Sequence, residues 1–218
     1  MPRHVALCLA AALAAFLFAE SPRAADSDLS VNARLLVAAR NSDAAGVARA
    51  LKDGASPNAR NRLGETALLI ALKKSDDALA RAMLAAGTDV NLAALNGVTP
   101  LMAAAYSGQK DMVEALLARG ADLNAVDRLE KNAMTYAAGE GRTEIVQLFV
   151  AKGVNPNAAY HNDLTALMWA AGNGKSDTVK ALLAAGAKPG LKDNRGKTAL
   201  DMAREGRHVD VLVLLDKG

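Results

Sequence analysis

The chain has 218 residues, of which 51% are hydrophobic and only 3% aromatic, and it carries a formal net charge of +3. That near-balance excludes the dense Lys/Arg stripe by which nucleic-acid binders are recognised, and the alanine- and leucine-rich composition suits short, closely packed helices. Length admits one or two domains; the unbroken repeat frame argues for one.

Residues 1–25 differ in kind from the rest. Arg3 precedes an apolar run, Val5–Phe18, which is followed by small residues, Pro22, Ala24-Ala25 and polar Asp26. This order predicts a secretory signal peptide over 1–25 and a mature protein that is periplasmic or secreted. The run is shorter than the roughly 20 residues that span a bilayer, so no stable membrane span is expected after cleavage. Cys8 is the only cysteine and lies inside the run. The mature chain would then offer neither a disulfide nor a thiol nucleophile, which is consistent with an oxidising compartment. Removing residues 1–25 takes away Arg3, Arg23 and Glu20 and leaves 24 basic and 22 acidic groups.

The remainder is periodic. Thr66, Thr99, Asn132, Thr165 and Thr198 are spaced by 33 residues; so are Gly54, Gly87, Gly120, Gly153 and Gly186, and Asn58, Asn91, Asn124 and Asn157. Such a period marks a stacked array, in which one unit cannot bury its own apolar face and must lean on the next. The frame divides residues 26–218 into units of about 29–60, 61–93, 94–126, 127–159, 160–192 and 193–218. The first lacks the Gly-x-Thr opening but keeps Leu35, Ala38, Val47, Leu51 and Gly54, as an N-terminal capping unit would. In each following unit the Thr hydroxyl is expected to cap a short helix, with the leucine two residues later and an alanine pair on its buried face. Gly108, Gly141 and Gly174 are expected between the two helices of a unit, in the left-handed region. The fourth unit is the most degenerate: Glu130 and Asn132 replace the usual Gly and Thr, and this stretch reads as the weakest link. In the sixth, Thr198 to Gly206 is one residue shorter than Thr165 to Gly174. Arg207, Asp210, Asp216 and Lys217 give the last helix the polar side of a C-terminal cap.

The clearest unit runs Asn96-Gly97-Val98-Thr99-Pro100-Leu101-Met102-Ala103-Ala104, then Gly108, Val113, Leu116-Leu117, Gly120-Ala121-Asp122 and Asn124. It resembles the ankyrin repeat, whose signature is G-x-T-P-L-H-x-A-A followed by G, V, L-L and G-A-D-x-N. The resemblance covers essentially all of residues 31–218. It implies an all-α repeat solenoid of about six helix-turn-helix repeats, caps included, joined by hairpin-like fingers. The family's histidine is replaced in every copy, by Leu69, Met102, Thr135, Met168 and Asp201.

Catalytic chemistry finds little purchase. No G-x-S-x-G, H-E-x-x-H or phosphate-loop motif occurs. Apart from His4 in the leader, the histidines are His161, at a finger tip, and His208, and with no cysteine beside them they read as solvated surface residues rather than zinc ligands. Asp76-Asp77 reads as a solvated connector, Glu205 and Asp210 as surface charges. Met102, Met134 and Met168 read as core filling. Tyr136 and Trp169 share one repeat position and read as partly buried packing. No cofactor and no metal is expected.

The resemblance implies a non-catalytic protein–protein interaction module, a scaffold, inhibitor or stabiliser of another exported protein. The chain is expected to be a monomer, its partner another protein and not nucleic acid. A periplasmic enzyme with a hidden active site and a structural spacer of the envelope are the alternatives. The positions exposed in the family's fingers correspond here to Arg62, Leu63, Glu65; Leu95, Asn96, Val98; Arg128, Leu129, Lys131; and His161, Asn162, Leu164. Turn tips are ordinarily polar, so Leu63, Leu95, Val98, Leu129 and Leu164 read as an exposed apolar row, with finger-to-finger packing as the other reading. On the concave side, Gly139 and Gly172 are expected to leave a shallow groove beside Tyr106.

Overall fold

The computed structural model describes residues 30–216. Residues 1–25, where a signal peptide is expected, lie outside them. Twelve α-helices follow in pairs: α1 (Val31–Arg40) and α2 (Ala44–Lys52), α3 (Ala67–Lys73) and α4 (Asp77–Ala85), α5 (Pro100–Ser107) and α6 (Lys110–Leu117), α7 (Ala133–Glu140) and α8 (Thr143–Ala151), α9 (Ala166–Gly172) and α10 (Ser176–Ala184), α11 (Ala199–Glu205) and α12 (Val209–Leu215). Among the described residues there is no strand, only an isolated bridge between Ala159 and Thr165. The fold is the all-α repeat solenoid expected. No described helix is long and apolar enough to cross a membrane.

Odd-numbered helices stack on one another along the array, each also packing on its own even-numbered partner, which forms the outer layer. Burial follows from that placement. In α3 every residue from Ala67 to Leu72 is buried, because neighbours cover it on three sides. In α6 only Met112, Val113 and Leu116 are buried, the one stripe that faces inward.

The 33-residue threonine position is the N-cap of each inner helix. Thr66, Thr99, Thr165 and Thr198 accept through Oγ1 from the backbone N–H three residues on, at 3.2–3.3 Å. Asn132 does the same through Oδ1 at 3.0 Å, and its own N–H donates to Thr135 Oγ1 at 3.1 Å. The first helix of the degenerate fourth repeat therefore carries the same cap as the others, with Asn in the place of Thr. The place of the absent histidine is reused: Met102 Sδ, Thr135 Oγ1, Met168 Sδ and Asp201 Oδ2 each accept from the N-cap N–H. Asp76 is also a cap rather than a mere connector; its Oδ1 accepts from Leu79 N at 3.0 Å.

The left-handed residue between paired helices is Gly108, Gly141 or Gly174, and in the remaining repeats Ser42, Ser75 or Arg207. The sixth repeat is thus not short. Arg207 occupies the in-frame position, while Gly206 is an ordinary right-handed helix end, φ −75°. The last helix has Arg207, Asp210 and Asp216 in solvent as expected, but Val209 and Val213 are exposed beside them.

Cross-repeat hydrogen bonds tie the stack together. Asn58, Asn91 and Asn157 accept through Oδ1 from Asp89 N, Asp122 N and Lys188 N at 2.7–2.8 Å. Asn124 makes no such bond among the described residues. Gln109 Nε2 donates to Leu72 O at 2.8 Å and Arg142 Nε to Tyr106 O at 3.0 Å. Each adds a side-chain donor to a carbonyl at the end of the preceding inner helix, where intrahelical partners run out. His208 does the same work: its Nε2 lies 3.0 Å from Gly172 O, so it is half-buried and bonded, not a solvated surface histidine.

Candidate interaction surface

Three of the fingers are shaped by a side chain five residues before the N-cap. Asn61 Oδ1 accepts from Leu63 N and Glu65 N, Asp127 Oδ1 from Leu129 N and Lys131 N, and Asp193 Oδ1 from Arg195 N and Lys197 N, all at 2.8–2.9 Å. Burial pushes the Asp193 carboxyl up, but the hydrogen bonds from Lys197 and Arg195 outweigh it and hold the group below the usual range. Fingers pair through the backbone, Leu95 N donating to Leu63 O at 2.8 Å and Arg128 N to Asn96 O at 3.0 Å. Asn194 N likewise donates to Asn162 O at 3.0 Å. Between the fourth and fifth repeats the tie is instead His161 Nδ1 with Glu130 Oε2, 3.2 Å apart on the surface.

Arg62, Leu63, Leu95, Asn96, Arg128, Leu129, His161 and Asn162 are all exposed. The expected apolar row is only partly formed. Leu63, Leu95 and Leu129 are 62%, 56% and 60% exposed, whereas Val98 and Leu164 are half-buried against the core. They sit directly before the N-cap, where the chain turns inward, and so belong to the base of the finger rather than its tip.

That base position reveals a rule in the frame. It faces the residue eight further on, near the end of the inner helix. In the second repeat the pair is Glu65 with Lys73, an ion pair at 2.7 Å. In the sixth it is Lys197 with Glu205, also an ion pair. In the three repeats between, the pairs are Val98 with Tyr106, Lys131 with Gly139 and Leu164 with Gly172. Charge pairs close this position in the second and sixth repeats and not in the three between.

The open centre carries most of the aromatic surface. Tyr106 stands edge-on to Tyr136 of the next repeat, ring centres 6.0 Å apart at 82°. The Tyr136 hydroxyl donates to Asp127 Oδ2 at 2.6 Å. Burial, and then the Asp127 carboxylate, hold that phenol well above its usual range. Lacking a partner at Gly139, Lys131 lays its Nζ 4.3 Å from the ring centre of Trp169 and 5.9 Å from that of Tyr136. Tyr136 and Trp169 are half-buried, as expected of packing residues. Beyond Trp169 an open cleft of about 360 Å³ is lined by Leu164, Met168, Trp169, Gly172, Met202 and Glu205, among others. The groove expected beside Tyr106 is therefore displaced. Gly139 is buried, with Trp169 and Asn173 close by, and only Gly172 opens onto the cleft. Met202 and Arg195 were not legible as surface residues of this cleft; the signal was Met202's place in register with Tyr136 and Trp169. Among the described residues no three His, Cys, Asp or Glu side chains converge as a metal site would require.

A family model for ankyrin repeats in three copies matches residues 35–127 and 133–218. The break falls on the finger in which Glu130 stands in the place of glycine. No curated protein matches the chain.

Proposed function

The chain belongs to the ankyrin repeat family, whose repeats are generally protein–protein interaction modules, and from that premise we propose that it binds another exported protein through the concave centre of repeats three to five. The observation that carries the reading is the contrast along one face. Ion pairs close the second and sixth repeats, while Tyr106, Tyr136, Trp169 and the cleft beside Gly172 lie between them. Aromatic side chains set in a pocket and ringed by polar groups are the usual anchors of a protein interface. Tyr106, 50% exposed, adds apolar surface to the same face, and Leu95 and Leu129 add more at the finger tips; exposed apolar surface of this kind is a recurring mark of association sites.

Export rests on the order Arg3, Val5–Phe18, Ala24-Ala25. Binding in the periplasm makes the chain a scaffold, an inhibitor or a stabiliser of its partner. The test is chemical cross-linking in intact cells followed by affinity purification of the periplasmic protein. A stoichiometric partner, lost in Tyr106→Ala and Gly172→Arg with unchanged melting temperature, supports the reading. A partner kept by both variants, or full-length chain recovered only from the cytosol, overturns it.

A further inference from the structure

We propose that the concave face receives an extended, acidic segment of the partner, in which an Asp or Glu lies two or three residues from a large apolar side chain. The proposal rests on the protein-binding reading and names the chemistry of that same site. Its first element is Lys131. The other charged residues at this finger-base position, Glu65 and Lys197, have a partner eight residues on; Lys131 faces Gly139 and, among the described residues, has neither an ion pair nor a hydrogen-bond acceptor. The residue is half-buried, and its ammonium lies over the Trp169 ring, 4.3 Å from the ring centre. Ring faces attract the charge but accept no conventional hydrogen bonds, so its three donors are left for solvent or for a ligand carboxylate.

The second element is the acid inventory of the same face. Asp127 is engaged by the finger backbone and by the Tyr136 hydroxyl, Asp193 by Arg195 and Glu205 by Lys197. Glu140 and Asp163 have no ion pair among the described residues. Arg62 and Arg128 add cations on the fingers that have no ion pair among the described residues. An acidic segment therefore meets an uncompensated cation at the centre, and a basic one would meet Lys131 directly.

The third element is spacing. Trp169 is the wall shared by Lys131 and the cleft. Neighbouring inner helices lie about 8–10 Å apart, and an extended chain advances roughly 3.3 Å per residue. A segment crossing the inner helices thus covers one repeat in about three residues. A carboxylate over Lys131 places an apolar side chain two or three residues away into the cleft bounded by Leu164, Trp169 and Met202.

The probe is a phage-displayed library of random peptides of about sixteen residues, ample for a segment that advances roughly 3.3 Å per residue. It is selected on the wild-type protein and on Lys131→Met, Lys131→Glu and Gly172→Arg, each confirmed folded by its circular-dichroism melting curve. Lys131→Met keeps an aliphatic stem beside the rings and removes only the charge. Expected is an enriched pattern of Asp or Glu two or three residues from Leu, Met, Phe or Trp. A synthetic peptide of that pattern should bind Lys131→Met at least tenfold more weakly, and Lys131→Glu should enrich Lys or Arg at the acidic position. Enriched sequences without the acidic residue, or enrichment unchanged by Lys131→Glu, overturn the proposal. So does the absence of any sequence enriched on wild type over Gly172→Arg. If the in-cell partner is still lost in Gly172→Arg when no peptide is selected, protein binding stands and the acidic-segment chemistry alone falls.

Discussion

Arg207 follows Gly174 by one repeat and adopts the same left-handed backbone, with φ of 58° against 68°. At Gly174 a side chain would strike the His208 ring of the next repeat, 2.6 Å away. At Arg207 no further repeat follows among the described residues, so the cost is backbone strain alone. A non-glycine residue in this region costs roughly 1–2 kcal/mol, offset in part by the greater freedom of glycine in the unfolded chain. Arg207→Gly is expected to stabilise the protein by about 0.5–1 kcal/mol. Urea denaturation should show a raised midpoint at unchanged slope; a lowered midpoint would contradict the assignment of Arg207 to the glycine position.

The capping of α7 leads to the opposite outcome for a substitution that looks like a repair. Asn132 Oδ1 already accepts from the backbone N–H of Thr135, and the Asn132 N–H donates to Thr135 Oγ1. Asn132→Thr restores the family residue but adds no bond, and should change stability by less than about 0.5 kcal/mol, since both residues are good N-caps. Asn132→Ala removes the side-chain half of the box, Oδ1 accepting from Thr135 N, and keeps the backbone N–H that donates to Thr135 Oγ1; at this buried position it should cost about 1 kcal/mol. Thermal unfolding of the pair distinguishes a working cap from a vestigial one.

The solenoid, its register and its caps were legible because each is written locally: a hydroxyl at the N-cap, a glycine at the turn, a leucine pair in the outer helix. The sixth repeat was misread for the same reason. Sequence pairs Gly206 with Gly174 by identity, while the backbone pairs Arg207 with it by position. The cleft was half legible. Gly172 pointed to missing volume, but Gly139 pointed there equally, and nothing in the chain says that Trp169 and Asn173 pack beside one of them. Lys131 was legible as a finger residue and not as the cation over Trp169, because that placement depends on the partner it lacks in its own repeat. The eight-residue charge pairs Glu65–Lys73 and Lys197–Glu205 were the signal that could have revealed it.

Core and surface leucines should separate cleanly. Leu116 and Leu182 are fully buried in the outer layer, and truncating either to alanine should cost about 2–5 kcal/mol. Leu95 and Leu129 sit on finger tips with most of their surface in water. Leu95→Ser and Leu129→Ser should stay within about 0.5 kcal/mol of the parent, as surface changes usually do. Melting temperatures of the four variants check this. A large loss in either serine variant would mean that the finger leucines support one another structurally and are not available to a partner.

Asp193 ties the acid response of the array to one finger. Its carboxylate, buried beneath Arg195, accepts from Arg195 N and Lys197 N and pairs with the guanidinium at 2.7 Å. Burial alone would raise its affinity for a proton; these donors outweigh burial and lower it. A carboxyl whose folded value lies below its unfolded value, about 3.9 for Asp, contributes stability that is fully present above that value. The contribution is lost as pH falls through the folded value. Asp193→Asn preserves an acceptor for the finger backbone but removes the charge. The variant should therefore be less stable than the parent near pH 6, and the gap should narrow on acidification below about pH 4. Urea midpoints of both proteins between pH 6 and pH 3 measure it. A gap that stays constant over that range would show that the finger depends on the hydrogen bonds to Asp193 and not on its charge.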